Sequence, residues 1–208
     1  MRVVAVGGGH GTAVSLRALR RVSEDVTGVV SVADDGGSTG RLRAMLNVAA
    51  VGDLRKCLGA LADPDNPLTA SFEHRFNVGE LNGHTVGNLL LVGLIDATGN
   101  LEESVRAVAQ VMGVTGAIVP ASQEGVVLVA STEDGDTRGQ TEVMTSSSIR
   151  RIRVEPTNAA TPIAAVRRKA RASMKYWPAN RLRTMSETLI ASSVSARRGS
   201  RTTNSSPP

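Results

Sequence analysis

Arg2-Val3-Val4-Ala5-Val6, Gly7-Gly8-Gly9-His10-Gly11-Thr12 and Val26-Thr27-Gly28-Val29-Val30-Ser31-Val32 decide the fold. The first run is short and continuously apolar, as expected of a strand buried on both faces of a parallel sheet. A glycine turn follows. Val14, Leu16, Leu19 and Val22, with Arg17, Arg20 and Arg21 between them, then recur at helical spacing. The third run is rich in β-branched residues and reads as a second buried strand. Strand, glycine turn, helix and strand within about 30 residues make a β–α–β unit with a right-handed crossover.

Working outward, Ala33-Asp34-Asp35-Gly36-Gly37-Ser38-Thr39-Gly40 is a second polar glycine turn. Residues 41–62 read as helix broken near Gly52, with Asp53 placed to cap 54–61. Asp63–Pro67 is a loop, 68–76 a short helix, and 77–83 a turn-rich link into an apolar helix over 84–97. The helix expected at 101–112 carries Glu102 and Glu103 in its first turn, where carboxylates suit the helix dipole. Strands are then expected at 116–120, 126–131, around 140–144 and at 149–154, with Asp134-Gly135 as a hairpin turn between the second and third. There is no internal repeat.

Composition narrows the class. The chain has 208 residues, 41% hydrophobic and 21% charged, which fits a globular α/β protein and excludes fibrous, wholly disordered and membrane-spanning classes. The apolar run at 3–6 is too short for a signal-peptide core or a membrane span, so a soluble cytoplasmic protein is expected. A single cysteine, Cys57, excludes a disulfide framework, and one Cys with three His makes no zinc cluster. The net charge of +5 suggests a nucleic-acid partner until it is divided. Residues 1–166 hold 14 of the 24 basic and 18 of the 19 acidic residues and stand at −4, whereas 167–208 stand at +9. That basic, Ser/Thr-rich end shows no helical or strand period and is expected to be mostly disordered. Its only interleaved aromatics are Tyr176-Trp177, so nucleic acid is not the expected partner.

The two glycine turns carry the chemistry. A strand ending in glycines that opens a helix exposes amides at the positive end of the helix dipole, and such a turn cradles phosphate. Gly8, Gly9, Gly11 and Thr12 form the first cradle, though a tight turn without a ligand would use the same residues. Thr12 stands where the dinucleotide fingerprint needs its third glycine, and no lysine follows as in a Walker A loop. Asp34 and Asp35 can accept hydrogen bonds from a ribose or sugar hydroxyl, hold Mg²⁺, or take a proton. They can equally cap the next helix. Gly36, Gly37 and Ser38 add a second set of amides. His84 and Asn88, four apart, share a face at a helix start, beside Gly83 and Gly87, which let something approach the backbone closely. Arg55 is either a phosphate clamp or part of an ordinary solvated helix start. Cys57 reads as a small buried hydrophobe, and Phe72 and Phe76 as core.

VVAVGGGHGTAVSLRALR at 3–20, VVSVADDGGSTGRLR at 29–43, VGDLRKCLGALA at 51–62 and LNGHTVGNLLLVGL at 81–94 together resemble the CofD-like superfamily of 2-phospho-L-lactate transferases and gluconeogenesis factors. The likeness spans about residues 1–166 and is nearer the gluconeogenesis-factor branch. It implies a Rossmann-like three-layer α/β fold with a mostly parallel sheet. It also implies a cytoplasmic protein needed for cell shape on gluconeogenic carbon, which binds UDP-sugars and has no settled reaction. By position, Gly8, Gly9 and Thr12 would contact phosphate, and Asp34, Asp35 and Asn88 would face sugar, ribose or metal. The resemblance leaves a homo-oligomer open and requires no membrane insertion. The alternative is a Mg²⁺-dependent phospholactate-type transferase in which Asp34 or Asp35 activates an acceptor hydroxyl. Family likeness stops after Val166, where relatives continue with more sheet. The expectation is a fold incomplete at its C-terminus, through a shifted reading frame or gene decay, and a non-functional product is the third reading.

Overall fold

The computed structural model describes residues 1–157. The basic segment at 167–208 and the C-terminal incompleteness of the sheet lie outside the described residues.

A parallel sheet organises the fold: β1 (Arg2–Gly7), β2 (Asp25–Val30) and β3 (Ala117–Pro120), with β2 in the middle. Between β1 and β2 lies α1 (Gly9–Leu19). Five α-helices separate β2 from β3, with a 3-10 turn (Gly79–Leu81) before the fourth: α2 (Gly37–Leu46), α3 (Gly52–Leu61), α4 (Pro67–Glu73), α5 (Val86–Thr98) and α6 (Leu101–Val111). A second, antiparallel sheet joins β4 (Val126–Thr132), β5 (Gly135–Arg138) and β6 (Arg151–Pro156), with α7 (Gln140–Thr145) inserted between β5 and β6. The α/β class and the parallel opening unit are as expected from the sequence.

The core centres on α3. Its apolar residues Leu54, Cys57, Leu58 and Leu61 follow helical spacing and are fully buried. Burying each of those leucines is worth about 1.5–3 kcal/mol. Burial also pushes the Cys57 thiol up to about 12, so it is an inert hydrophobe rather than a nucleophile. Val26 and Val30 of β2 join this core, as do Leu91 of α5 and Val105 and Val108 of α6.

Several local expectations need correction. The stretch 140–144 is helix, not strand, and the hairpin partner of β4 is the shorter Gly135–Arg138. β1 is half-buried rather than buried on both faces, and Val6 is 38% exposed, because β1 pairs only with β2 among the described residues. Val14 and Val22 face solvent; α1 buries Thr12, Ala13 and Leu16 instead. The helix α5 begins at Val86, so His84 precedes it in the connecting segment. Asp53 lies inside the first turn of α3 and does not cap it, the N-cap being Val51. Phe72 is core, while Phe76 is partly buried, edge-on to His74.

Candidate functional site

Parallel pairing fixes where the glycine turns lie. Gly7 at the end of β1 is level with Val30 at the end of β2, and the Ser31 amide donates to the Gly7 carbonyl at 2.8 Å. Both turns therefore leave the sheet at one rim, the rim at which open α/β sheets bind ligands. Pro120 of β3 is level with Val30 as well, which brings residues 121–125 to the same rim.

The two turns repeat one backbone pattern. Gly8 is extended (φ −148°, ψ 169°), and Gly9, the first residue of α1, is left-handed (φ 70°). Gly36 is extended (φ −80°, ψ 151°), and Gly37, the first residue of α2, is left-handed (φ 50°). A left-handed residue followed by a right-handed helical one curls successive amides into a concavity suited to an anion, and glycine makes the left-handed step without steric cost. Neither helix has a side-chain cap on its first amides. α3, the third helix to start here, lacks one too.

The sequence alone does not single out Asp53 beyond a helix cap, because a carboxylate after Gly52 reads as one. A methyl group placed on Gly8 would come within 2.9 Å of Asp53 Oδ2 and 3.0 Å of Ser31 Cβ, so Asp53 lies directly against the first turn. It is buried and accepts from Lys56 Nζ at 3.0 Å. Asp34 approaches the same place: its Oδ2 would stand 3.0 Å from a Cβ on Gly52, and its Oδ1 accepts from the Gly36 amide at 3.0 Å. Burial raises the Asp34 pKa above the carboxylate norm. The Gly36 amide opposes that rise, and the nearby charge of Asp53 reinforces it.

Asp35 turns elsewhere. Its Oδ2 accepts the Gln140 amide at 2.6 Å, and its Oδ1 accepts the Thr141 amide at 3.2 Å and the Thr141 hydroxyl at 3.0 Å. It caps α7 from more than a hundred residues away. The expected Asp34–Asp35 pair thus diverges, and one cation shared between them does not fit this geometry. Among the described residues no group of three His, Cys, Asp or Glu is placed to hold a metal ion. Asp34 feels the charge of Asp53 more strongly than that of its sequence neighbour Asp35. Beside them Arg43 braces the turn, donating to the Asp34 carbonyl at 2.9 Å and to the Val126 carbonyl at 2.7 Å.

Ser38, His84 and Asn88 do come together, in a buried polar network. Ser38 Oγ is 2.9 Å from His84 Nδ1, and Asn88 Nδ2 donates to Ser38 Oγ at 3.1 Å. Burial lowers the His84 pKa, helped by the positive charges of Arg41 and Arg75, which disfavours the imidazolium. Asn88 Oδ1 is buried without a hydrogen-bond partner, an acceptor that costs about 1–3 kcal/mol while it lacks a donor.

The remaining candidates serve the fold more visibly. Arg55 is buried and its guanidinium pairs with Glu73 of α4, so it is not the free clamp that the sequence suggested. The Thr12 hydroxyl donates back to the Gly8 carbonyl at 3.2 Å and braces the turn. At Gly83 and Gly87 the close neighbours are this chain's own side chains, Arg41 at the first and Arg55 and Phe72 at the second. Gly11 has no neighbouring atom within 4 Å of where a Cβ would stand.

No helix among the described residues is long and apolar enough to cross a membrane. Comparison with known proteins agrees with the block pattern. The gluconeogenesis factor of Bacillus subtilis is 43% identical over 135 residues, covering 64% of this chain and 43% of that protein. That of Listeria monocytogenes is 36% identical over 160 residues, covering 76% of this chain and 50% of that protein. A crystal structure of a Bacillus halodurans protein superposes with a TM-score of 0.71 at 38% identity, covering 76% of this chain and 51% of that one. The chain thus spans half or less of the length of these curated relatives. The sequence profile described as 2-phospho-L-lactate transferase CofD matches residues 3–174, and the chain belongs to the CofD family.

Proposed function

We propose that this chain binds a UDP-sugar and acts as a regulatory protein of the gluconeogenesis-factor type, needed for cell shape during growth on gluconeogenic carbon. One observation carries the reading: the same extended, left-handed, helical backbone step occurs twice, at Gly8-Gly9 and Gly36-Gly37, on the ends of adjacent parallel strands. Two such concavities side by side suit the two phosphates of a nucleoside diphosphate. The amides of residues 9–11 take one phosphate and those of residues 37–38 the other. Asn88 Oδ1 is the acceptor that a sugar hydroxyl would satisfy. The relatives named gluconeogenesis factors support the gluconeogenesis-factor part of the reading. A cytoplasmic location goes with it, supported by a lone buried cysteine that suits a reducing compartment.

The test is calorimetric titration of the soluble chain with UDP-N-acetylglucosamine, with and without Mg²⁺. Saturable one-to-one binding, with a melting temperature that climbs with ligand concentration, is the expected result. Absence of both at millimolar ligand would overturn the reading.

The pair Asp34 and Asp53 favours a second reading, a phospholactate-type transferase. These two carboxylates, with the ligand's own phosphates, are the groups that would hold a Mg²⁺, an ion that commonly takes one or two carboxylates plus phosphate oxygens. Bound there, the ion would neutralise phosphate charge. Turnover of a nucleotide-activated phospholactate that Asp34→Asn abolishes would favour the enzyme; ligand binding without turnover favours the regulator.

A further inference from the structure

His84 is anchored more firmly than its place in a connecting segment suggests. Its amide donates to the Leu81 carbonyl at 2.9 Å, and its carbonyl accepts from the Phe76 amide at 2.9 Å. The imidazole therefore projects from a fixed backbone. Its Nδ1 meets Ser38 Oγ at 2.9 Å, and Ser38 belongs to the first turn of α2, directly after the left-handed Gly37. At the exposed side of the same junction Arg41 Nη2 donates to the Asn82 carbonyl at 2.6 Å.

The hydrogens in this network run in one direction. The Asn88 amide nitrogen can only donate, so Ser38 Oγ accepts from it. The single hydroxyl hydrogen of Ser38 can then go to His84 Nδ1, an arrangement that requires this nitrogen unprotonated and the ring proton on Nε2. Ser38 is 7% exposed, and its hydroxyl is committed to this chain rather than to a ligand. What Ser38 offers at the rim is its backbone amide.

We propose that His84 is a positioning residue for the second glycine turn: it touches no ligand, and by accepting the Ser38 hydroxyl hydrogen it fixes the first turn of α2 so that the Gly37 and Ser38 amides face a diphosphate. The proposal rests on the UDP-sugar reading and deepens it. It assigns His84 and the Ser38 side chain to the support of the site, and it separates them from Asn88, whose buried oxygen has no partner within the network.

The test combines one spectrum with one mutant cycle. In protein carrying ¹⁵N-histidine there are three imidazoles to resolve, His10, His74 and His84, and the His84 signals are those missing from His84→Asn. The Nε2–H tautomer is expected for His84; an Nδ1–H tautomer would overturn the proposal. Against UDP-N-acetylglucosamine, His84→Leu should weaken binding roughly tenfold, as expected when a buried acceptor is removed. His84→Asn, which keeps an acceptor oxygen close to the Nδ1 position, should restore most of the affinity. If His84→Leu does not fold, Ser38→Ala should show the same loss, and combining Ser38→Ala with His84→Asn should add little further. A folded His84→Leu that binds like the parent, or losses that simply add, would sink the positioning role alone. A parent protein that binds neither UDP-N-acetylglucosamine nor inorganic pyrophosphate would overturn the ligand reading and this proposal with it.

Discussion

Two groups of helices among the described residues start differently. α4, α5 and α6 are capped by their own side chains: Asn66 accepts from the Leu68 amide, Thr85 from Asn88 and Asn100 from Glu103. At the rim, α1 and α2 start from Gly8 and Gly36 with no side-chain cap. The first group spends its polar side chains on its own orphan amides, which is the usual way to stabilise a helix start. The rim helices leave those amides clear and put glycine where a side chain would obstruct approach. The contrast falls along the edge to which β1 and β2 lead, so it follows the topology and is not scattered through the chain.

The largest expected effect comes from filling the rim. Gly8→Val would drive its side chain toward Asp53 Oδ2, only 2.9 Å from the position of an added Cβ, and toward Ser31. Neither neighbour can withdraw easily, because Asp53 is buried and paired with Lys56 and Ser31 is tied to Gly7. A loss of about 1–3 kcal/mol is expected in urea melts, as for overpacking elsewhere, together with loss of UDP-N-acetylglucosamine binding. A fully bound and stable variant would mean that the first turn is an ordinary connection.

Asp35→Ala comes next. It removes the acceptor for both first amides of α7 and should cost about 1–2 kcal/mol, the upper range for an N-cap. Asp35→Asn keeps a side-chain oxygen and should recover part of that loss. Because the carboxylate serves α7, Asp35→Asn should bind UDP-N-acetylglucosamine nearly as the parent does. A selective loss of binding in a stable Asp35→Asn would return Asp35 to the ligand side of the comparison. On the other side, Asn100→Ala should lower stability by about 1 kcal/mol through its lost bond to Glu103, with no change in ligand affinity.

These capping partners also explain how much could be read from the sequence. β2 and α3 were legible because their burial is written locally, as a β-branched run and as apolar residues at 54, 57, 58 and 61. The common rim of the two turns was legible because parallel pairing of successive strands requires it. The helix at Gln140–Thr145 was not, since the carboxylate that stabilises its start lies in the second glycine turn. Nor was the proximity of Asp53 to Gly8, which arises where α3 meets the rim and leaves no mark on local spacing. Val14 and Val22 misled for a related reason: helical spacing was present, but the buried stripe of α1 runs through Ala13 and Leu16. Within the site, residue types pointed to polar chemistry, while which oxygen faces a ligand and which faces another helix depended on contacts between distant segments.

The finest discrimination between the two kinds of helix start comes from Gly11. It lies in the first turn of α1 and needs no unusual backbone angle, and nothing stands within 4 Å of the place a Cβ would take. If α1 were built for stability alone, alanine would be the better residue there, since glycine in a helix costs about 0.5–1 kcal/mol by comparison. Gly11→Ala should therefore raise the stability of the unliganded protein by about that amount in denaturant melts. The same methyl group would stand at the mouth of the first turn, where a phosphate would have to approach, and should weaken UDP-N-acetylglucosamine binding severalfold. Opposite movements of stability and affinity in one variant are what a site built at the expense of helix stability requires. A gain in both would show that the open face of Gly11 has no part in recognition, and would confine the first cradle to Gly8 and Gly9.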